Sequence, residues 1–304
     1  AKDGPRVAVK VTSARDGLQR EASLQSAVPP CEHVVQCLDF YSQGTFAYLV
    51  MEMCDLSLSA FLLQAKAPEL NEEAMQVIFR DMLAGITACH GACIAHRDVK
   101  PGNFVVTCHP ARIKLCDFGL AARLASSEAE DLAGVVGTAP YMAPEMLGGS
   151  SYGVAVDVWA LGAVAHVLLY GRYAFGVQGC SSAAMKEAIL EGAPGTNFRS
   201  SPCLPKISEL CAEWLRVLLR RAGRPSAREA LAQLQAPWPG TASLHRAVFA
   251  AKLAGALATS DGKAEAMERE ILARQRTDGA ASTASTASTA TPEPHSPCSS
   301  APSS

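Results

Sequence analysis

The feature that most constrains this chain is a change in hydrophobic period near residue 54. Before it, Arg6-Val7-Ala8-Val9-Lys10-Val11 alternates as a half-buried strand does. Residues 34–40 and 45–51 are rich in β-formers, with Ser42-Gln43-Gly44 as the turn between them. Residues 18–27 have helical spacing and are closed by Pro29-Pro30. From Leu56 onward the spacing is mostly helical. Residues 71–89 make a long amphipathic helix with Asn71 as its N-cap, and further helices fit 153–171, 181–191, 207–221 and 226–235. Strands first and helices after predict an α+β fold in two parts, a small β-rich one over 1–53 and a larger helical one over 54–240. A helical extension is expected over 241–277. Residues 278–304 are a low-complexity Ala/Ser/Thr/Pro tail with little to bury, expected to be disordered.

Charge and cysteine usage narrow the class. Lys and Arg number 27 against 29 Asp and Glu, a net charge of −2, which argues against a nucleic-acid or anionic-membrane partner. The apolar run 158–171 falls short of the roughly 20 residues a membrane span needs and reads as a buried core helix. The 11 cysteines are odd in number and irregularly spaced, as in free cytosolic thiols rather than a disulfide framework. Cys89, His90, Cys93 and His96 lie close together, but without a Cys-x-x-Cys pair they read as core residues rather than a metal site. No leader peptide is recognisable at the start, so a cytoplasmic location, with a nuclear one as the alternative, is expected.

The residues that carry chemistry come in a fixed order. His96-Arg97-Asp98-Val99-Lys100-Pro101-Gly102-Asn103 is followed, 14 residues after Asn103, by Asp117-Phe118-Gly119. Gly137-Thr138-Ala139-Pro140-Tyr141-Met142-Ala143-Pro144-Glu145 and Asp157-Val158-Trp159-Ala160-Leu161-Gly162 come next. One tripeptide would carry little weight, whereas four motifs in order are specific. Through them residues 1–238 resemble the eukaryotic protein kinases, and Asp98-x-Lys100-Pro101-x-Asn103 is similar to the Ser/Thr branch. The resemblance implies a two-lobed kinase fold that uses ATP and Mg2+ to phosphorylate Ser/Thr hydroxyls of protein substrates.

Phosphoryl transfer asks a protein mainly to position reactants and neutralise charge. By the resemblance, Asp98 is the catalytic base that meets the incoming hydroxyl, and Lys100 contacts the γ-phosphate. Asn103 and Asp117 match the hard oxygen ligands for Mg2+. Lys10 matches the lysine that pairs the α- and β-phosphates. Glu21, 11 residues on, is its expected helix partner, since Glu32 lies beyond Pro29-Pro30. Met51 matches the side chain at the back of the adenine pocket, backbone groups of Glu52 and Cys54 would bind adenine, and Met53 reads as core. Thr138 matches the threonine that this branch uses near the substrate pocket, and His96 and Arg97 read as structural or regulatory. Glu145 is expected to form a buried ion pair with Arg224, and Asp157 to accept hydrogen bonds from the catalytic-loop backbone. Arg97 has two readings. A phosphate on Ser126 or Ser127 docks on it, or Glu128, Glu130 and Asp131 already supply the negative charge.

Residues 152–219 most resemble the calcium/calmodulin-dependent kinase group, through Tyr152-Gly153, Leu168-Leu169-Tyr170-Gly171-Arg172-Tyr173-Ala174-Phe175 and Ala188-Ile189-Leu190-Glu191-Gly192. Gly102 stands where arginine-directed members often carry Glu, which removes one basis for expecting that preference. Within 243–276, Leu244, Val248, Leu253 and Leu257 with Arg246 and Lys252 have the spacing of an autoinhibitory or calmodulin-binding helix. Its thin basic charge and the Asp261-Gly262 break favour a packing helix. No EF-hand loop follows, so calcium binding by this chain is not expected. No Gly-x-Gly-x-x-Gly precedes Lys10, so the chain is expected to begin inside the ATP-binding lobe and to bind ATP poorly. That absence is the support for the alternative of a pseudokinase or scaffold, while the intact Lys10, Asp98, Asn103 and Asp117 favour an enzyme. A small-molecule phosphotransferase is disfavoured by the Ala-Pro-Glu and Asp-x-Trp-x-x-Gly elements.

Overall fold

Alternating β-branched residues place Val7–Thr12 (β1) at one edge of a three-stranded antiparallel sheet of order β1-β3-β2, with β2 at Cys37–Gln43 and β3 at Phe46–Glu52. The computed structural model describes residues 6–64, 72–108, 110–176, 179–192 and 207–234. Asn71, the extension over 241–277 and the tail over 278–304 lie outside the described residues. In the sheet Lys10 pairs with Leu49, so Lys10 shares a face with Ala8, Leu49 and Met51. That face is covered by α1 (Arg15–Ala27), whose Leu18 and Ala22 pack on Ala47 and Leu49. Val7, Val9 and Val11 point the other way and are exposed.

Several boundaries differ from the sequence expectation. α1 starts at Arg15 rather than residue 18, because its first turn, Arg15-Asp16-Gly17, is polar and leaves no apolar spacing to read. The strand expected over 34–40 begins at Cys37 instead. Val34 and Val35 are held elsewhere: Val34 bridges to Leu115, and the Val35 N–H donates to the Leu115 carbonyl at 2.9 Å. The turn after β2 lies at Gly44-Thr45, with Gly44 at φ +59°; Ser42 and Gln43 remain in the strand.

The larger part holds β4 (Leu56–Ser57), α2 (Leu58–Gln64), α3 (Glu72–Gly91), β5 (Ile94–Ala95), β6 (Phe104–Cys108), β7 (Ala111–Leu115) and β8 (Ala122–Arg123). It continues with α4 (Pro144–Leu147), α5 (Ala155–Tyr170), α6 (Ser182–Glu191), α7 (Glu209–Leu218) and α8 (Ala227–Gln233). α5 is the core helix. Val158, Trp159, Leu161, Val164 and Ala165 are buried around its whole circumference, as its unbroken apolar sequence requires. Gly171 ends it in the left-handed region, φ +66°, which only glycine adopts cheaply. The Ser226 hydroxyl and the Glu229 carboxylate form a reciprocal cap that starts α8. α7 stops at Leu218, three residues before the expected end, because the Leu219 backbone leaves the helix.

Where the two parts meet, Leu24, Val28 and Val34 join the core of the larger part, and backbone contacts add to this. The Leu115 N–H donates to the His33 carbonyl at 2.9 Å, and Gly85 of α3 lies so close that a Cβ there would stand 2.4 Å from the His33 oxygen. A charged contact adds to this: Lys114 Nζ lies 2.8 Å from both Glu52 carboxylate oxygens, with the lysine only 11% exposed. Glu52 also accepts from the Gln36 N–H at 2.8 Å. The Gly85 contact yields a test with a distinctive sign. In an ordinary helix interior Gly→Ala stabilises by about 1 kcal/mol. Here Gly85→Ala should destabilise by ~1–3 kcal/mol through overpacking on the His33 backbone, seen as a lowered thermal midpoint.

Candidate active site

The centre of the site is a loop held from below by one carboxylate. Asp157, fully buried in the first turn of α5, accepts from the Arg97 N–H at 2.8 Å through Oδ1. Its Oδ2 accepts from the His96 N–H at 2.8 Å and from His90 Nε2 at 2.9 Å. Burial by itself would raise this carboxyl. The His90 hydrogen bond and charge, joined by the His96 amide, outweigh burial and hold it below its ordinary value. The two loop amides are presented because Arg97 adopts a left-handed backbone, φ +65°, a conformation costing ~1–2 kcal/mol for a non-glycine residue. His96 Nδ1 accepts from the Asp98 N–H at 3.3 Å, so Nε2 donates to the Cys116 carbonyl at 3.0 Å. The ring stands edge-on to Phe118 at 5.3 Å.

This loop carries Asp98, which is 9% exposed and held by three donors. Its Oδ1 accepts from the Thr138 hydroxyl at 2.7 Å. Its Oδ2 lies 2.7 Å from Lys100 Nζ and accepts from Asn103 Nδ2 at 3.0 Å. Lys100 also donates to the Thr138 oxygen at 3.1 Å. The four side chains therefore form one group around a fixed carboxylate, a geometry suited to receiving a proton from a hydroxyl.

A second group lies across the junction. Lys10 Nζ reaches Glu21 at 2.8 Å and Asp117 Oδ1 at 2.9 Å. Burial pulls the Lys10 ammonium down, but the two carboxylates more than compensate and it lies above its ordinary value. Burial raises the Glu21 carboxyl more than Lys10 lowers it, whereas in Asp117 the lysine prevails over burial and the carboxyl is lowered. Asp117 has a left-handed backbone, φ +63°. The Cys116 N–H donates to the Asn103 carbonyl at 2.9 Å, which joins the two groups.

The residues present fit a divalent cation. The Asn103 NH2 donates to the carbonyl and Oδ2 of Asp98, so its amide oxygen is the atom left to offer. Asp117 keeps its second oxygen and is 48% exposed. One amide and one carboxylate oxygen suit Mg2+, which usually takes few protein ligands and completes its shell with phosphate and water. The Cys89–His96 stretch makes no such cluster: His90 binds Asp157, His96 binds the Cys116 carbonyl, and Cys89 is fully buried. Met51 packs against the α1 cluster, and Cys54 is half-buried, its thiol pushed up to about 11 by burial. Met53, expected in the core, is 49% exposed, because it follows the end of β3.

Beneath the site, Arg224 Nη1 lies 2.7 Å from Glu145 and donates to the Ala155 carbonyl at 2.7 Å. Its guanidinium stands 5.0 Å over the Trp159 ring. Residues 2–238 match the protein kinase domain family. The chain belongs to that family. It is similar to calcium/calmodulin-dependent serine/threonine-protein kinase 1 of Oryza sativa subsp. japonica, 30% identical over 77% of this chain and 38% of that one. It is similar to CDPK-related kinase 7 of Arabidopsis thaliana, 28% identical over 77% of this chain and 39% of the relative. Serine/threonine-protein kinase PEPKR2 of Arabidopsis thaliana is 34% identical over 62% of this chain and 39% of its own length. This kinase chain thus spans about two fifths of the length of these relatives.

Two features of the kinase site escaped the sequence reading. The Glu52 side chain, which the resemblance leaves unspecified, is fixed by Lys114; a lysine at alternate spacing in β7 was the available signal. The second concerns Arg97, for which both expected partners were charged. Instead its Nε donates to the Leu120 carbonyl at 2.8 Å and its Nη1 to the Tyr152 hydroxyl at 3.3 Å. Two of the three expected acids are engaged elsewhere: Glu128 accepts from Ser127 at 2.7 Å, and Asp131 accepts from the Ala125 N–H at 3.0 Å.

A carboxyl depressed in the native state adds stability above its unfolded pKa and loses it as pH falls through the native one. Asp157 should therefore contribute fully above its ordinary value of 3.8 and progressively less below it. Asp157→Asn should cost ~1–3 kcal/mol at pH 7 and flatten the acid limb of the stability profile. Urea midpoints between pH 7 and pH 3 measure both effects.

Proposed function

We propose that this chain is the catalytic part of an ATP-dependent protein Ser/Thr kinase. The observation that supports this most is the single hydrogen-bonded group of Asp98, Lys100, Asn103 and Thr138, joined through Asn103 and Cys116 to the Lys10–Glu21–Asp117 ion pairs. In the reaction a protein Ser or Thr oxygen bonds to the γ-phosphorus, the bond to the β,γ-bridging oxygen breaks, and the hydroxyl proton passes to Asp98. Lys100 lies 2.7 Å from that carboxylate and supplies positive charge where the transferring group passes. Lys10, oriented by Glu21, holds the α- and β-phosphates. Asn103 and Asp117 would hold Mg2+, which supplies charge neutralisation at the phosphate oxygens. Backbone groups of Glu52 and Cys54 take the adenine edge, with Met51 behind it.

The substrates are protein hydroxyls, and the reading carries no preference for arginine-bearing ones, since Gly102 offers no carboxylate. A cytoplasmic or nuclear location is part of the proposal; among the described residues no helix is long and apolar enough to cross a membrane. Segment 243–276, with Arg246 and Lys252, supports a packing role better than a calmodulin site.

Asp98→Asn should lower kcat for transfer from Mg-ATP to a protein acceptor by about 10²–10⁴-fold while ATP binding persists. A variant as active as the parent would refute the role of Asp98. ATP binding by the parent chain without turnover would favour the scaffold reading. Lys10→Met should raise the Kd for ATP and lower turnover together, measured by titration and initial rates.

A further inference from the structure

Asp117–Glu145 is the segment that carries Thr138 onto Asp98, so its position decides whether the site is assembled. Its first half is held by backbone pairing. Ala122–Arg123 pairs with Ile94–Ala95, and the Leu124 N–H donates to the Cys93 carbonyl at 2.8 Å. Its second half is held by Tyr152 as well as by the Thr138–Asp98 and Glu145–Arg224 contacts. Tyr152 exchanges two backbone hydrogen bonds with Leu132, at 2.9 and 3.1 Å. Its ring is 1% exposed, and its hydroxyl donates toward the Gly134 carbonyl at 2.8 Å and the Ala133 carbonyl at 3.3 Å. The same oxygen accepts from Arg97 Nη1 at 3.3 Å.

The neighbouring positions are shaped for this contact. At Gly153 a Cβ would stand 2.4 Å from the Ala129 carbonyl, so the segment passes directly over the backbone beside Tyr152. At Gly137, φ +102°, a Cβ would stand 2.5 Å from the Arg97 carbonyl. Thr138 follows and reaches Asp98. A continuous path thus runs from Arg97 through the Tyr152 hydroxyl to the 132–138 backbone and back to Asp98. Among the described residues no carboxylate pairs with Arg97, and its two contacts are to neutral oxygens.

We propose that Tyr152 is a positioning residue whose buried hydroxyl holds the 132–138 segment on Arg97, so that the site assembles without phosphate on Ser126 or Ser127. The proposal rests on the kinase reading, because the segment matters through Thr138 and Asp98. Tyr→Phe removes one oxygen and keeps the ring, so the core stays filled, but it leaves Arg97 Nη1 and two carbonyls without that partner.

The test uses the purified chain, Mg-ATP and a mixture of dephosphorylated casein and myelin basic protein as acceptor. Tyr152→Phe should lower kcat at least tenfold with the KM for ATP within twofold. It should also speed hydrogen exchange of amides 132–138 at least tenfold while α5 amides keep their protection. Gly153→Ala should speed exchange in the same segment. The Ser126→Ala/Ser127→Ala double variant should keep kcat within twofold. A Tyr152→Phe chain with parental kcat and parental exchange overturns the proposal, and so does a tenfold loss in the double serine variant. If the parent shows no transfer at all, the kinase reading fails, and the exchange of 132–138 alone decides whether Tyr152 holds the segment.

Discussion

Everything at the site rests on one buried carboxylate. Asp157 sits at the start of α5, where the helix dipole favours negative charge, and it accepts three hydrogen bonds that converge from two directions. A buried carboxylate without such donors would be severely penalised. The left-handed turn at Arg97 would not persist without something to hold its amides. Each strained feature is stable because of the other. α5 is packed on all sides by core residues, so the carboxylate has little freedom to follow the loop if it moves.

From that point the polar contacts run outward without a break. The loop fixes Asp98, Asp98 gathers Lys100, Asn103 and Thr138, and Asn103 takes the amide of Cys116. Asp117 then meets Lys10, and Lys10 meets Glu21 on the helix that covers the small sheet. Core helix and small lobe are therefore linked by a chain of side chains and amides as well as by Leu24, Val28 and Val34, which join the large apolar core. A second, smaller cluster of Leu18, Ala22, Ala47 and Leu49 lies between α1 and the small sheet.

What was legible beforehand lies in ordered motifs and local patterns. Asp98, Asn103, Asp117 and Glu21 could be named because four ordered motifs resemble those of the protein kinases, and the resemblance implies a role for each position. The helices at α5 and α8 could be named because an apolar run and helical spacing are local signals, and the Ser226–Glu229 cap of α8 emerged with the structure. What was not legible depends on partners far away in the chain. Val34 and Val35 have the composition of a strand, yet their backbone groups face Leu115. Glu52 has no local reason to be anything in particular until Lys114 approaches it. Tyr152 is visible as a motif residue, but nothing in its neighbourhood says that its hydroxyl meets Arg97.

Gly85, Gly137 and Gly153 stand where a Cβ would fall within 2.4–2.5 Å of a carbonyl oxygen of another segment. None of the three contributes an apolar surface, a charge or a hydrogen-bonding side chain, so they leave no trace in any pattern of polarity. A library that varied this chain while keeping its hydrophobic pattern and all its charged residues would treat them as free positions. Most members would then lose the close backbone approaches on which the loop, the segment and the lobe junction depend. Sequence drift within such a fold is limited as much by these contacts of main chain on main chain as by the residues that perform the chemistry.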